Sequence, residues 1–465
     1  MTYIACLDQF ASTFQSTGKF RHNTGVRFKV FPFIANNSSP IVTSLEQVVG
    51  RFLCRINDTY PVALNSDALL DALITECGIS QQSVLSSNFR EIIRHMFFDE
   101  NKNLRPLNIK MLAHIVPTET SQERVADYLV DVLGNKHHMQ QCLKRAHQRY
   151  EQQSHVLERA FCDKLNIKDN SLAADIPYSR IINVLQNKFD QDFEFILSSN
   201  ERTKEYLVQL LEFYYFTYTA QLCLQLDRFE NGERDALYPL YFSLDWETTS
   251  QNRKCYADGW QRLQHAVKHA FAHAVTLEIL NQTVPDCSTY DYIRLCQKAS
   301  TSIEHDQMIS EQIKILTDNY RAIVSDCSEM QALMREEAPL GQATACEMHY
   351  LFSNVRTQFE NTNRGRVYHA YAEKFEVFAH NTFLKKRGRS GWMLTLSEEM
   401  IIFLTRLCVG DAEIMRLNTV FEEFESRGVF LDHISKRKVI DYFEKLNLIE
   451  KKSDSGDSMY VKRIL

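Results

Sequence analysis

Lys436, Arg437 and Lys438 fall in what reads as the first turn of a helix, where exposed cations oppose the helix dipole at about 0.3–1 kcal/mol each. A phosphate or base edge met by the front of that helix would offset this cost, because helix-turn-helix proteins place that end in the major groove. Lys451, Lys452, Lys462 and Arg463 would flank it from a following hairpin, and Lys385, Lys386, Arg387 and Arg389 form a basic run ahead of the unit. Two other clusters have metal-ligand spacing. His265, His269 and His273 stand at i, i+4 and i+8 on one helix, a spacing at which His pairs ligate zinc. No glutamate adjoins them in the metalloprotease pattern, and Ala266, Ala270, Phe271 and Ala274 interleave, so they read as ordinary surface or interface histidines. Asp245 and Glu247 are two apart on an expected strand, hence on one face that suits a shared divalent ion. Arg253 nearby favours structural ion pairing instead. The single Gly-Lys pair, Gly18-Lys19, lacks the remaining residues of a phosphate-binding loop, and there is no Gly-x-Ser-x-Gly elbow, His-Glu-x-x-His or glycine-rich dinucleotide turn. No catalytic residue, cofactor or metal is assigned.

The elements that must position the cationic cluster are three amphipathic helices and a two-stranded ribbon, the pattern of a winged helix. The first helix opens at Thr395 or Ser397, with Glu398 and Glu399 complementing its dipole and Met400, Leu404, Leu407 and Cys408 on one face. The second turns Leu417, Val420, Phe421 and Phe424 inward and stops at Gly428. A third, capped by Ser435, carries Val439, Ile440, Phe443 and Leu446 at helical spacing. Ser453-Asp454-Ser455-Gly456-Asp457 then reads as a hairpin tip between the runs 448–452 and 459–464. From Lys385 to Leu465 there are fifteen Lys plus Arg against thirteen Asp plus Glu, so a strongly basic footprint is missing and docking on protein stands as the competing reading.

The run from Glu425, with Arg427-Gly428-Val429-Phe430, through Leu446-Asn447-Leu448-Ile449-Glu450-Lys451-Lys452 and the Ser453–Asp457 turn to Tyr460-Val461-Lys462, resembles the C-terminus of the DptG family. That family, also called DndG, is the small subunit of DNA phosphorothioation-dependent restriction systems. Leu244-Asp245-Trp246-Glu247, Ser250, Arg253 and Gly259-Trp260 are similar to its middle, while Ser458-Met459 stands where the family has Ala-Gln. The resemblance implies a bacterial anti-phage defence complex that damages DNA lacking a sulfur mark on its phosphates. It also implies that the ATP-driven work belongs to two partners, an ATPase and a large translocase-like subunit.

Composition agrees with a mostly α chain of two or three domains, since 465 residues hold only 14 Gly and 9 Pro. Twelve cysteines without Cys-x-x-Cys spacing, and no signal-peptide pattern, lead us to expect reduced thiols in a cytoplasm. The apolar run 207–226 contains Glu212 and three glutamines, so it is expected to be a buried helix rather than a membrane span. The net charge of −6 gives no global affinity for nucleic acid.

Three regions are expected: an N-terminal α+β region (1–120), a central domain of long helices (121–384) and a C-terminal winged-helix domain (385–465). In the first, alternation at Val26, Phe28 and Val30 predicts a strand, Thr43 and Glu46 a capping box, and 67–77 a helix stopped by Gly78. Glu100-Asn101-Lys102 resembles half of a restriction-endonuclease acidic-x-lysine pair, without a Pro-Asp strand before it. In the second, 136–164 reads as one helix carrying Lys136, Lys144, Arg145, Arg149 and Arg159, a face that suits DNA, an acidic partner or simply solvent. Ile309, Ile313, Leu316, Tyr320, Ile323, Cys327, Met330 and Met334 form one four-three stripe, either an internal bundle seam or an arm gripped by another subunit. Of these, Ile309, Ile313, Leu316, Tyr320, Ile323 and Met330 are the candidate partner contacts. The expectation is an accessory, non-catalytic restriction subunit contacting partners and double-stranded DNA, with no membrane association. Two alternatives are a winged-helix regulator or chromosome-organising protein with a helical dimerisation body, and a cryptic nuclease using Asp245 and Glu247.

Overall fold

Few glycines and prolines interrupt the chain, and the computed structural model is accordingly mostly helical. It describes residues 3–16, 19–36, 38–62, 64–78, 84–169, 176–199, 202–285, 287–451 and 459–464. In chain order, among shorter pieces, the body contains α1 (Val48–Ile56), α2 (Thr120–Val132), α3 (Lys136–Gln153), α4 (Gln186–Ser198), α5 (Thr203–Leu226), β1 (Tyr241–Leu244), α6 (Gln261–Lys268), α7 (Ala270–Leu280), α8 (Ile303–Ile323), α9 (Ala343–Glu360) and α10 (Gly365–Thr382). The C-terminal unit follows as β2 (Leu384–Lys386), β3 (Trp392–Leu396), α11 (Glu398–Val409), β4 (Ile414–Arg416), α12 (Leu417–Ser426), β5 (Phe430–Leu431), α13 (His433–Lys445), β6 (Ile449–Lys451) and β7 (Met459–Lys462).

The centre is α5, whose residues 213–226 are all buried and which packs against α1, α4, α6 and α11. A helix apolar on every side must be enclosed by others. Its polar side chains are satisfied internally: Gln221 donates to the Tyr238 carbonyl at 2.8 Å and accepts from the Tyr238 N–H at 2.9 Å. Among the described residues no helix is long and apolar enough to cross a membrane. One hydrophobic cluster runs from Tyr3 to Val461, through all three expected regions, and a satellite cluster gathers Leu70, Ile93, Phe97 and Phe161.

Close approach of α1 to the segment 112–115 ahead of α2 depends on Gly50, because a β-carbon there would run into the carbonyl oxygens of Leu112 and Ile115. Gly50→Ala is expected to destabilise the fold by about 1–3 kcal/mol through overpacking. A lowered urea midpoint at unchanged slope would register this. An unmoved midpoint would mean that the turn yields freely.

Several local expectations give way to tertiary contacts. Residues 26–30 form one isolated parallel bridge, Lys29 to Tyr178, in place of a strand. Their N–H groups are taken by one carboxylate: Glu278 accepts from Gly25, Val26 and Phe28 at 2.9, 3.1 and 3.3 Å with one oxygen, and from Arg27 at 2.8 Å with the other. The box expected at Thr43 and Glu46 does not form; α1 starts at Val48 without a side-chain cap, and Glu212 takes the Leu45 N–H. The helix at 67–77 is present as Ser66–Glu76, capped by Asn65, with Gly78 at φ +69°. The expected single helix 136–164 breaks at Ser154, and a short helix, Val156–Cys162, follows. Three of its cations are spent internally, Lys136 on Asp58, Arg145 on Glu194 and Arg149 on the Leu197 carbonyl.

The 309–334 stripe is corrected most. α8 ends at Ile323, where Val324 leaves helical geometry, and Met334 points into solvent at 85 % exposure. Ile309, Ile313, Leu316, Tyr320 and Met330 are fully buried in the chain's own core, with Ile323 packed at its margin. The partner helix that this stripe demands is α9. Five of these six residues are therefore enclosed seam positions inside one chain, and only Ile323 keeps a partly exposed side chain.

Candidate nucleic-acid interface

Two sheets frame the C-terminal helices. β6, β7 and β4 form an antiparallel sheet in that order, with Ile449 opposite Val461 and Tyr460 opposite Arg416. In the other sheet β1, from the middle of the chain, lies parallel to both β3 and β5, pairing Ser243 with Thr395 and Tyr241 with Phe430. The body thus supplies a strand to the C-terminal unit.

Each helix end follows from local chemistry. Ser397 caps α11, its hydroxyl accepting from Met400 N–H at 3.1 Å, and Thr395 lies in β3. Gly428, at φ +88°, ends α12 in the left-handed region, where a β-carbon would also press on the Thr217 methyl. The expected cap of α13 is corrected from Ser435 to Asp432, whose Oδ1 accepts from the N–H groups of Ile434 and Ser435 at 3.1 and 3.0 Å. An aspartate just ahead of the helix outcompetes a serine one turn in, because only the residue before the first turn can reach its free N–H groups.

Ser435 has another task. Arg253 donates to both oxygens of Asp432 at 2.7 Å, to Ser435 Oγ at 2.8 Å and to Glu247 Oε1 at 3.2 Å, while Ser435 Oγ donates to Glu247 at 2.8 Å. Glu247 is thus an ion-pair partner, as Arg253 suggested, and it follows β1 rather than lying in it. Burial works against an ionised Asp432, but the hydrogen bonds from Arg253, Ser435 and Ile434 outweigh it and hold the carboxyl below its ordinary range. One edge of the α13 front is therefore locked to the body. The opposite edge, with His433, Ile434, Arg437 and Lys438, is exposed.

The eleven expected cations differ in what they have left to offer. Lys436 turns back to Glu425 at 2.8 Å and lies 5.3 Å from the Phe421 ring centre. Lys438 pairs with Asp441 at 3.5 Å, Lys451 with Glu444 at 2.9 Å and Arg463 with Asp411 at 2.9 Å, all well exposed, and Lys462 donates to the Asn447 carbonyl at 3.4 Å. Lys452 and the Ser453–Asp457 tip lie outside the described residues. In the basic run, Lys385 donates to the Asp245 carbonyl at 2.7 Å and Arg387 to the Leu244 carbonyl at 2.6 Å, ending the strand β1, whereas Lys386 and Arg389 are exposed. Residues 244–247 lie between this run and α13, since Lys385 and Arg387 reach the Asp245 and Leu244 carbonyls while the tilted rings of Trp246 and Tyr442 pack 5.2 Å apart. The chain matches no family model and no curated protein.

In the acidic-x-lysine segment the exposed Lys102 pairs with Asp67 at 3.7 Å. What sequence reasoning missed was Asp432 as a partner of Arg253 beside Glu247, and a second buried pair, Arg427 with Asp192. The first left a trace in the Asp432 position, one residue before a helical period; the second left none, because Asp192 sits among other charged residues of α4 with nothing to single it out.

Proposed function

We propose that this chain is an accessory, non-catalytic subunit of a phosphorothioation-dependent DNA restriction complex, acting in the cytoplasm. Its C-terminal unit is a winged helix that lays α13 on duplex DNA, and its helical body holds an ATPase and a translocase-like partner. The element order helix, strand, helix, two-residue strand, helix and two strands, with β4 completing the β6–β7 sheet, supports the winged helix. The DptG-like residues at 244–260 and 425–465 support the complex. The observation that carries the DNA contact is the asymmetry of α13: Asp432 and Ser435 are anchored, while Arg437 and Lys438 face outward on the same turn.

Replacing Lys436, Arg437 and Lys438 together by Ala should reduce the salt dependence of duplex binding. Lys436 is tied to Glu425 at 2.8 Å, whereas the Lys438–Asp441 pair is longer, at 3.5 Å, and more exposed, so it gives way to a phosphate; two contacts are then expected to be lost, and log Kd against log salt should flatten by about 1.8 at ~0.9 per phosphate. An unchanged slope in a folded variant would overturn the DNA contact.

A second reading, docking of the same edge on protein, is favoured by the local acids Glu425, Asp441, Glu444 and Asp411, which already neutralise four of the cations. Under that reading the variant keeps its DNA behaviour and loses co-purification with the ATPase. The alternative of a regulator with a helical dimerisation body draws no support from the 309–330 stripe, which is buried within the chain.

A further inference from the structure

Away from the C-terminal unit, three histidines and one aspartate from separate helices converge on a point near the surface. α5 ends at Leu226, and Asp227 follows as its C-terminal cap, aimed at the junction of α6 and α7. That junction is His269, whose helical φ and ψ of −84° and −7° carry α6 into α7 and keep His265, His269 and His273 on one side. The Asp227 Oδ1 lies 2.8 Å from His269 Nδ1 and 2.9 Å from His273 Nε2, and Asp227 Oδ2 lies 3.7 Å from His265 Nδ1. Burial is graded along the set: the His273 side chain is completely enclosed, whereas that of His265 is 74 % exposed. An ion can therefore reach a dry nitrogen from solvent.

We propose that Asp227, His269 and His273 form a zinc site that clips the end of α5 to the α6–α7 junction, with the exposed His265 imidazole turning inward to become the fourth ligand. Three imidazoles and a carboxylate make a complete tetrahedral set of the borderline ligands zinc prefers. With bonds of about 2.0–2.1 Å the edge of that tetrahedron is ~3.3 Å; Asp227 Oδ1 lies somewhat inside this distance from His269 and His273, so a small opening admits the ion, while His265, 3.7 Å from the other carboxylate oxygen, has to rotate inward. The far nitrogen of His273, Nδ1, lies 3.1 Å from the Tyr292 hydroxyl. A partner there fixes ring orientation and tautomer, as the outer hydrogen bonds of metal-binding histidines do. Phe352 stacks on the same ring at 4.4 Å and holds it in place. Four protein ligands leave no open position, so the site is structural rather than catalytic.

A second grouping, His138, Cys142 and Glu194, lacks this character. There Arg145 donates to Cys142 Sγ at 3.2 Å and to Glu194 at 2.7 Å, placing a cation where the ion would go. The proposal is independent of the DNA and restriction readings.

The test uses the full chain, stripped with a chelator, reloaded with zinc and assayed by elemental analysis and thermal unfolding, with cobalt(II) as an optical probe. One zinc per chain, a raised Tm and the visible bands of tetrahedral cobalt are expected. Tyr292→Phe should weaken zinc binding by about 10- to 100-fold. His265→Ala, an exposed change that spares the core, should weaken it by at least about that much. A His138→Ala, Cys142→Ser variant should retain the ion. Failure of the stripped chain to take up zinc, equal affinity in His265→Ala and the parent chain, or loss of zinc in the His138 and Cys142 variant would each overturn the proposal.

Discussion

Replacing Arg427 by Leu is expected to cost about 3–5 kcal/mol of folding stability, seen as a fall in the urea midpoint at constant slope. The guanidinium at the end of α12 is 3 % exposed and grips Asp192 of α4 with two parallel bonds of 2.7 and 2.8 Å. Its third nitrogen donates to the Glu423 carboxylate at 2.6 Å and to the Glu423 carbonyl at 3.0 Å. Removing it strands the Asp192 carboxylate, itself 2 % exposed, with the Tyr214 hydroxyl at 2.7 Å as a neutral donor. The cost arises from that stranded charge more than from the lost attraction, because desolvating the pair already consumes much of its Coulomb energy. Arg427→Met combined with Asp192→Leu should therefore recover most of the loss. A single variant costing less than about 1 kcal/mol, the range of exposed pairs, would show that water enters the site. Since the pair joins α12 to α4, the Arg427 variant should also become cleavable near the C-terminal unit under limited proteolysis.

Arg253→Gln should have the next largest effect, about 3 kcal/mol or more, since it leaves Asp432 and Glu247 facing each other across a buried space. It should also shift acid unfolding. The Asp432 carboxyl has a depressed pKa in the folded chain, so its stabilisation is complete above the ordinary aspartate value of about 3.9 and fades as pH falls through the lower folded value. Without the guanidinium that folded value rises, the stabilisation shrinks, and α13 should come away from the body at higher pH than in the parent chain. Trp246, packed against Tyr442 of α13, provides the fluorescence signal. Identical acid midpoints in the two chains would sink the assignment of Arg253 as the anchor.

Much of the C-terminal unit was legible from residue order. Leu404, Leu407 and Cys408 on the first helix, Leu417, Val420, Phe421 and Phe424 on the second, and Val439 and Phe443 on the third are buried as their spacing required. Met400 and Ile440 sit at the margin of the core, and Leu446 is exposed. The long apolar run 207–226 was recognisable as an interior helix by its glutamines, which a lipid environment would leave unpaired. Less legible were positions where one side chain replaced a backbone partner. Nothing in Val26–Val30 announces that Glu278 will collect its N–H groups, and nothing in the four-three stripe announces the break at Val324.

Periodicity, stop residues and the order of elements are properties of neighbouring φ, ψ and side-chain directions, so amino-acid order alone determined the mostly helical class, the helix faces and the turn at Gly428. Which groups meet was decided only by packing: Arg253 finds Asp432 across 179 positions and Arg427 finds Asp192 across 235. The same packing spent most of the expected cations on nearby acids or carbonyls and enclosed the stripe that invited a partner. It also brought Asp227 beneath three histidines whose spacing alone looked ordinary. A local pattern sets which face a residue occupies, but the charge or ligand opposite that face comes from whichever distant helix the shared core draws against it.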